Sequence, residues 1–115
     1  MGIRIVRSPI AREDLAALTQ EYYADLIKGV VDIRAKVIAL GGEMHSDGES
    51  LLLQEGSSQP DIWGFNILTD KPKDECLVYT SFVNIRPRDN NKGLEVLDPG
   101  IREKMRAIIF EYIPL

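Results

Sequence analysis

The sequence predicts an α+β fold in which four or five mainly antiparallel strands form one sheet, with helices packed on one face. Short apolar runs typical of strands follow one another with brief connections, and they are interspersed with stretches whose apolar residues recur every three or four positions. A chain of 115 residues holds one core of ordinary size, so we expect a single domain over residues 1–115. The predicted order of elements is β-α-β-β-α-β-β-α.

The first half of the chain predicts a strand, a long helix and a hairpin. Residues 3–6 are a short β-branched run that ends before Pro9. A helix is predicted over 9–28, closed by Gly29, because one apolar stripe contains Leu15, Leu18, Tyr22 and Leu26. The apolar runs 30–33 and 37–40 are separated by three residues, which predicts an antiparallel hairpin.

The middle of the chain predicts a short helix and a strand. The second hairpin strand either ends at Gly41-Gly42 or continues through a bulge as far as His45. Ser46 and Glu49 have the spacing of a capping box, which predicts a helix from there to about residue 55. In the predicted strand 62–68, the side chains of Trp63 and Phe65 alternate with polar or small ones.

The last third predicts a long strand, a loop and a helix. Residues 76–85 are the longest β-type run, and 88–93 is the most polar, loop-like stretch. Asp98 and Pro99 have the residue types of a helix N-cap and first turn, and apolar residues repeat on one face after them.

Composition limits the classes of protein. The single cysteine, Cys76, excludes an intrachain disulfide and favours a cytoplasmic location, and we expect a small buried side chain there. No apolar stretch approaches the length of a membrane span, so no membrane contact is expected. The net charge of −4 argues against broad nucleic-acid binding. Sheet edges that need covering make a homo-oligomer possible.

The densest polar group contains Glu43, His45, Asp47 and Glu49, with Asp32 expected nearby across the hairpin. If the strand continues, Glu43 and His45 share a face, and the imidazole with Asp47 could hold a divalent metal or take part in proton transfer. The purely structural interpretation is that Ser46 and Glu49 cap a helix, Asp47 complements its dipole and His45 lies at a turn.

Two further groups are candidate ligand contacts. Trp63 and Asn66 could form an aromatic platform with a directed amide, although alternation more simply places Trp63 in the core. Asn84 and Arg86 would share a strand face next to Arg88 and Lys92, where an anion or an RNA backbone could dock. The simpler interpretation of this second group is a solvated strand end.

Several short segments together resemble a family of small prokaryotic proteins known only as a domain of unknown function. The segments that carry the resemblance are Val31-Asp32-Ile33, Gly41-Gly42-Glu43, His45, Asp47, Glu49, Leu51-Leu52-Leu53, Gly56-Ser57, Gln59, Trp63-Gly64, Asn66 and Asn84-Ile85-Arg86-Pro87. Because the function of that family is unknown, the resemblance gives no information about an activity, a cofactor or a catalytic residue.

The sequence therefore favours a small cytoplasmic binding or interaction protein, whose partner could be a protein or a small molecule. The alternative is a metal-assisted or carboxylate-based enzyme centred on Glu43, His45 and Asp47.

Overall fold

The computed structural model describes residues 2–19 and 22–115. Its strands are β1 (Ile3–Val6), β2 (Leu26–Asp32), β3 (Val37–Gly41), β4 (Ile62–Leu68) and β5 (Leu77–Val78). Its α-helices are α1 (Arg12–Leu18), α2 (His45–Gln54) and α3 (Pro99–Tyr112). Short 3₁₀ turns occupy Gln59–Asp61, Phe82–Asn84 and Pro87–Asp89. The predicted α+β class and element order are confirmed.

All five strands form one antiparallel sheet in the order β1-β3-β2-β4-β5. The centre of the sheet is β2, which pairs with β3 through Val31↔Ile38 and with β4 through Val31↔Trp63. The predicted hairpin is therefore present, and β4 has the bounds expected from its alternation.

Helices cover both faces of this sheet. The first and last helices, α1 and α3, pack on one face, as the sequence predicts for the two longer predicted helices. Trp63 and Phe65 project into that core at 2% and 0% exposure, so their predicted core role is confirmed. The short helix α2 packs on the opposite face, where Leu52 meets Val30 and Ala39. Lys28 of β2, which belongs to the candidate site, points to this second face together with Val30.

The predicted helix over 9–28 is much shorter in the structure. Helix α1 spans Arg12–Leu18, and β2 already begins at Leu26; Gln20 and Glu21 lie outside the described residues. Gly29 does not close a helix but lies within β2, opposite Phe65. A Cβ atom at Gly29 would come within 2.4 Å of the Phe65 ring, so glycine makes room for that ring in the core.

Helix α2 begins two residues earlier than the capping-box pattern predicts. Its N-cap is Met44 and no side chain caps it, so Ser46 and Glu49 do not form the predicted box. The preceding strand ends at Gly41, which means that the bulged continuation to His45 does not occur. At the other end of the chain, the Asp98 carboxylate accepts the Gly100 amide at 2.8 Å, as predicted for an N-cap.

The predicted long strand 76–85 is only two residues long in the structure. After Leu77–Val78 the chain leaves the ladder and turns back on itself, with Thr80 bridging to Glu95 and Arg86 to Asn91. We call residues 79–97 the return segment. Its 3₁₀ turn at Phe82–Asn84 lies against Gly64 of β4, where an added Cβ would come within 2.5 Å of the Ser81 side chain.

Candidate functional site

The predicted acidic constellation does not converge on one point. Because β3 ends at Gly41 and α2 begins at His45, Glu43 and His45 do not share a strand face, which corrects that expectation. Glu43 and Asp47 are exposed, whereas His45 is half-buried. Within residues 2–19 and 22–115, no three His, Cys, Asp or Glu side chains lie together as metal ligands would. Metal binding by His45 and Asp47 stays a prediction without added support.

Asp32 serves the hairpin turn. It is 2% exposed at the end of β2, and its Oδ1 atom accepts the backbone amides of Arg34 and Ala35, each at 2.9 Å. These two bonds form the Asx-type turn that connects β2 to β3. The carboxylate is thus occupied by the backbone.

Asn84 has a structural role: its side chain bonds to β4 at the position where a longer β5 would have paired. Its Oδ1 atom accepts the Gly64 amide at 2.7 Å, and its Nδ2 atom donates to the Gly64 carbonyl at 3.1 Å. The same Nδ2 lies 3.2 Å from the Leu94 carbonyl, and the side chain is 0% exposed. One amide therefore makes the pair of bonds that a neighbouring strand would make to Gly64, and it anchors the return segment to the sheet.

Arg86 is also buried, at 7% exposure, so the predicted solvated strand end is wrong. Its guanidinium carbon lies 3.7 Å from the centre of the Trp63 ring, and its two terminal nitrogens donate to the carbonyls of Gln59 and Ile62. Burial lowers the pKa of Arg86, while Asp89, Glu49 and Asp61 oppose that shift. A guanidinium held this way ties the return segment to β4, and its burial keeps it from an RNA phosphate in solvent.

His45 and Asn66 do come together, on the sheet face that α2 covers. The His45 Nε2 atom lies 2.9 Å from the Phe65 carbonyl, which can only accept, so Nε2 carries the proton. Asn66 follows Phe65 on β4 and donates through Nδ2 to the Thr80 carbonyl at 3.1 Å. Burial lowers the pKa of His45, the Phe65 carbonyl opposes this, and the Lys28 ammonium lowers it further. The imidazole is therefore neutral near pH 7.

These residues line an open groove of ≈ 250 Å³ between the start of α2 and the return segment. We call it the His45 groove; the lining side chains used below are Leu26, Lys28, His45, Asn66, Phe82 and Leu94. Phe82 is 80% exposed, the most exposed of the large apolar side chains in the described chain. An apolar wall with a few directed polar groups is the usual composition of a binding site.

Lys28 supplies the charge of the groove. It lies on β2 opposite Asn66, and its ammonium nitrogen is 5.1 Å from the centre of the Tyr23 ring. The ion pairs of residues 2–19 and 22–115 join Arg4 to Asp14, Arg7 to Glu55 and Arg102 to Glu95, so none involves Lys28. The groove thus offers one half-buried cation that has no carboxylate partner in the described chain, next to a neutral imidazole.

Sequence reasoning missed Lys28, Phe82 and Leu94 as neighbours of His45. Lys28 ends the predicted helix over 9–28, and Phe82 lies within the predicted long strand over 76–85. The alternation of Lys28, Val30 and Asp32 along one strand face would have indicated the cation, had the strand been predicted to begin at Leu26.

The helices of the described residues include none that is both long and apolar enough to cross a membrane. No curated protein and no solved structure matches the chain. A family model described as "Protein of unknown function (DUF5674)" matches residues 4–112, which is nearly the whole chain. The chain therefore belongs to the family of proteins of unknown function DUF5674.

Proposed function

We propose that this protein is a single-domain, cytoplasmic, prokaryotic binding module that docks a peptide segment of a partner protein in the His45 groove. The segment presents an apolar side chain to Phe82 and Leu94 and a carboxylate to Lys28. The observation that carries the proposal is the pairing of an 80% exposed phenylalanine with a half-buried cation at one groove.

The apolar part of the recognition depends on exposed side chains around the groove. Phe82 is 80% exposed and Leu94 is 39% exposed, and both line the groove. Large apolar side chains of this kind gain free energy when a partner removes them from water, at about 25 cal/mol per Å². A groove of ≈ 250 Å³ that is open to solvent has room for one or two side chains of a peptide.

The polar part of the recognition depends on groups that already have fixed positions. The Lys28 ammonium would pair with a carboxylate in a partly desolvated site, and the Asn66 amide is held by its bond to Thr80. His45 donates its Nε2 proton to Phe65, so the neutral ring offers Nδ1 as an acceptor. A carboxylate that binds beside this ring would raise the pKa of His45, so we expect tighter binding at lower pH.

A selection from a displayed library of random peptides tests the proposal. Wild-type protein is the target, Phe82→Ala serves for counter-selection, and the affinity of each enriched peptide is then measured by calorimetry. We expect enriched peptides to carry an aromatic or aliphatic residue next to Asp or Glu. Phe82→Ala should weaken them about tenfold or more, and Lys28→Met, which keeps the length of the stem, about threefold with reduced salt dependence.

Leu53→Ala is the matched control, because Leu53 is 43% exposed on α2 but does not line the groove. Its affinity for the selected peptides should equal that of the wild type. Peptides rich in Lys or Arg, or peptides that bind Phe82→Ala as well as the wild type, would contradict the proposal.

Self-association through a sheet edge stays a separate prediction, which sedimentation of the purified protein would test.

A further inference from the structure

A second pocket, which shares no lining residue with the His45 groove, lies where the start of α1, the loop after β4 and the residues after α3 meet. Its volume is ≈ 230 Å³. The side chains that matter are three cations, Arg12, Lys71 and Lys73, and an apolar wall that includes Leu15, Leu68 and Pro114. We call it the Lys71 pocket.

Three cations line this pocket in a chain whose net charge is −4. No Asp or Glu side chain of the described residues lines the pocket, and none of the described ion pairs involves Arg12, Lys71 or Lys73. The Lys73 ammonium lies 5.0 Å from the centre of the Phe110 ring, a contact that holds its stem in place. Because all three cations line one pocket, an anion bound there would be attracted by each of them.

The wall of the pocket is apolar and chemically inert. Leu15 and Leu68 are half-buried, and Cys76 is 2% exposed with its thiol donating to the Lys73 carbonyl at 3.4 Å. Burial raises the pKa of the Cys76 thiol, so it stays protonated and adds neither charge nor a nucleophile. The pocket thus joins an apolar surface to a cationic rim.

We infer that the Lys71 pocket binds a small organic phosphate, with the phosphate group among the three cations and a short apolar body against Leu15 and Leu68. A phosphate monoester carries a charge of about −1.5 to −2 near pH 7, which suits three cations better than a single carboxylate does. A pocket of ≈ 230 Å³ lined by three cations holds one phosphate group, whereas a nucleic-acid backbone needs many phosphate contacts. This inference does not depend on the proposed peptide binding.

Titration calorimetry with phenyl phosphate, inorganic phosphate, benzoate and benzyl alcohol tests the inference. We expect phenyl phosphate to bind more tightly than inorganic phosphate or benzoate, and benzyl alcohol not to bind. Lys71→Met and Lys73→Met should each weaken phenyl phosphate about threefold, and the double variant about tenfold. Added salt should weaken binding to the wild type and have less effect on the double variant.

Lys104→Met is the control, because Lys104 is an exposed cation on α3 that does not line this pocket. It removes the same charge and should leave the affinity for phenyl phosphate unchanged. The inference is overturned if phenyl phosphate does not bind at millimolar concentration, if it binds no more tightly than benzoate, or if Lys104→Met weakens it as much as the double variant does.

Discussion

Replacement of Asn84 by alanine should destabilise the fold strongly, because this buried amide stands in for a strand. Asn84→Ala leaves the Gly64 amide and carbonyl without the partners that now lie at 2.7 and 3.1 Å, whereas the Leu94 carbonyl keeps the Ser81 amide at 3.0 Å. Each buried backbone group left unpaired costs about 1–3 kcal/mol, so we expect a loss of about 3–4 kcal/mol. A domain with about 5–15 kcal/mol of stability would then melt roughly 10–20 °C lower.

Urea unfolding followed by fluorescence measures this loss, since Trp63 is the sole tryptophan and is buried. Asn90→Gly is the matched control: Asn90 is exposed in the same return segment at φ 61°, a conformation that glycine adopts freely, and it should change stability by less than about 0.5 kcal/mol. A loss below about 1 kcal/mol in Asn84→Ala would refute the idea that one side chain replaces the strand.

The near-isosteric Asn84→Asp variant separates hydrogen bonding from packing. It keeps the Oδ1 acceptor for Gly64 but turns the Nδ2 donor into an oxygen that faces carbonyl groups. The folded state then raises the pKa of the new carboxyl above its ordinary value of about 3.9. The loss of stability should be largest near pH 7 and should shrink as the pH falls toward that ordinary value. A pH-independent loss would point to packing instead.

Three other substitutions test the return segment and the His45 groove. Arg86→Lys should cost about 2–3 kcal/mol in urea unfolding, because one ammonium cannot reach both carbonyls and stack on Trp63, whereas exposed Arg88→Lys should cost almost nothing. Burial lowers the pKa of His45, so the free energy of unfolding of the wild type should fall as the pH drops through about 6.5 and level off below the folded pKa. His45→Gln should lack this dependence on pH. The same dependence in both proteins would contradict the reasoning. Gly64→Ala places a Cβ 2.5 Å from the Ser81 side chain, so it should lower the free energy of unfolding by about 2 kcal/mol and weaken the binding of the selected peptides. Gly93→Ala should change neither quantity, because a Cβ there would have no atom within 4 Å.

The sequence predicts best those elements whose local signals agree with their packing. The alternation in Ile62–Leu68 matches a strand with one face in the main core, and Asp98 with Pro99 begins α3 as its residue types indicate. The apolar stripe of the predicted first helix misleads because Leu26 completes the helical spacing by chance while its side chain belongs to β2. No local signal shows that Gly29 leaves space for a ring on a strand more than thirty residues further along the chain.

The candidate site was predicted less well, for a related reason. Asn84 and Arg86 have the residue types of ligand contacts, but their partners are backbone groups of β4 and of the turn before it, 20 to 27 residues earlier. Such long-range bonds also end β5 after two residues, since Asn84 takes the place that further strand residues would occupy next to Gly64. Of the predicted residues, His45 and Asn66 lie at the groove, and Lys28 joins them only once β2 is known.

Because the amide proton of Gly64 is bonded to a side chain and not to another strand, its exchange with deuterated solvent reports a single event, the detachment of residues 79–97 from the sheet. Neighbouring β4 amides that pair with β2 would exchange only when the whole molecule opens. A peptide seated against Phe82 and Leu94 would hold the segment down and slow that one proton, so a single resonance could serve as a gauge of occupancy before any partner is identified.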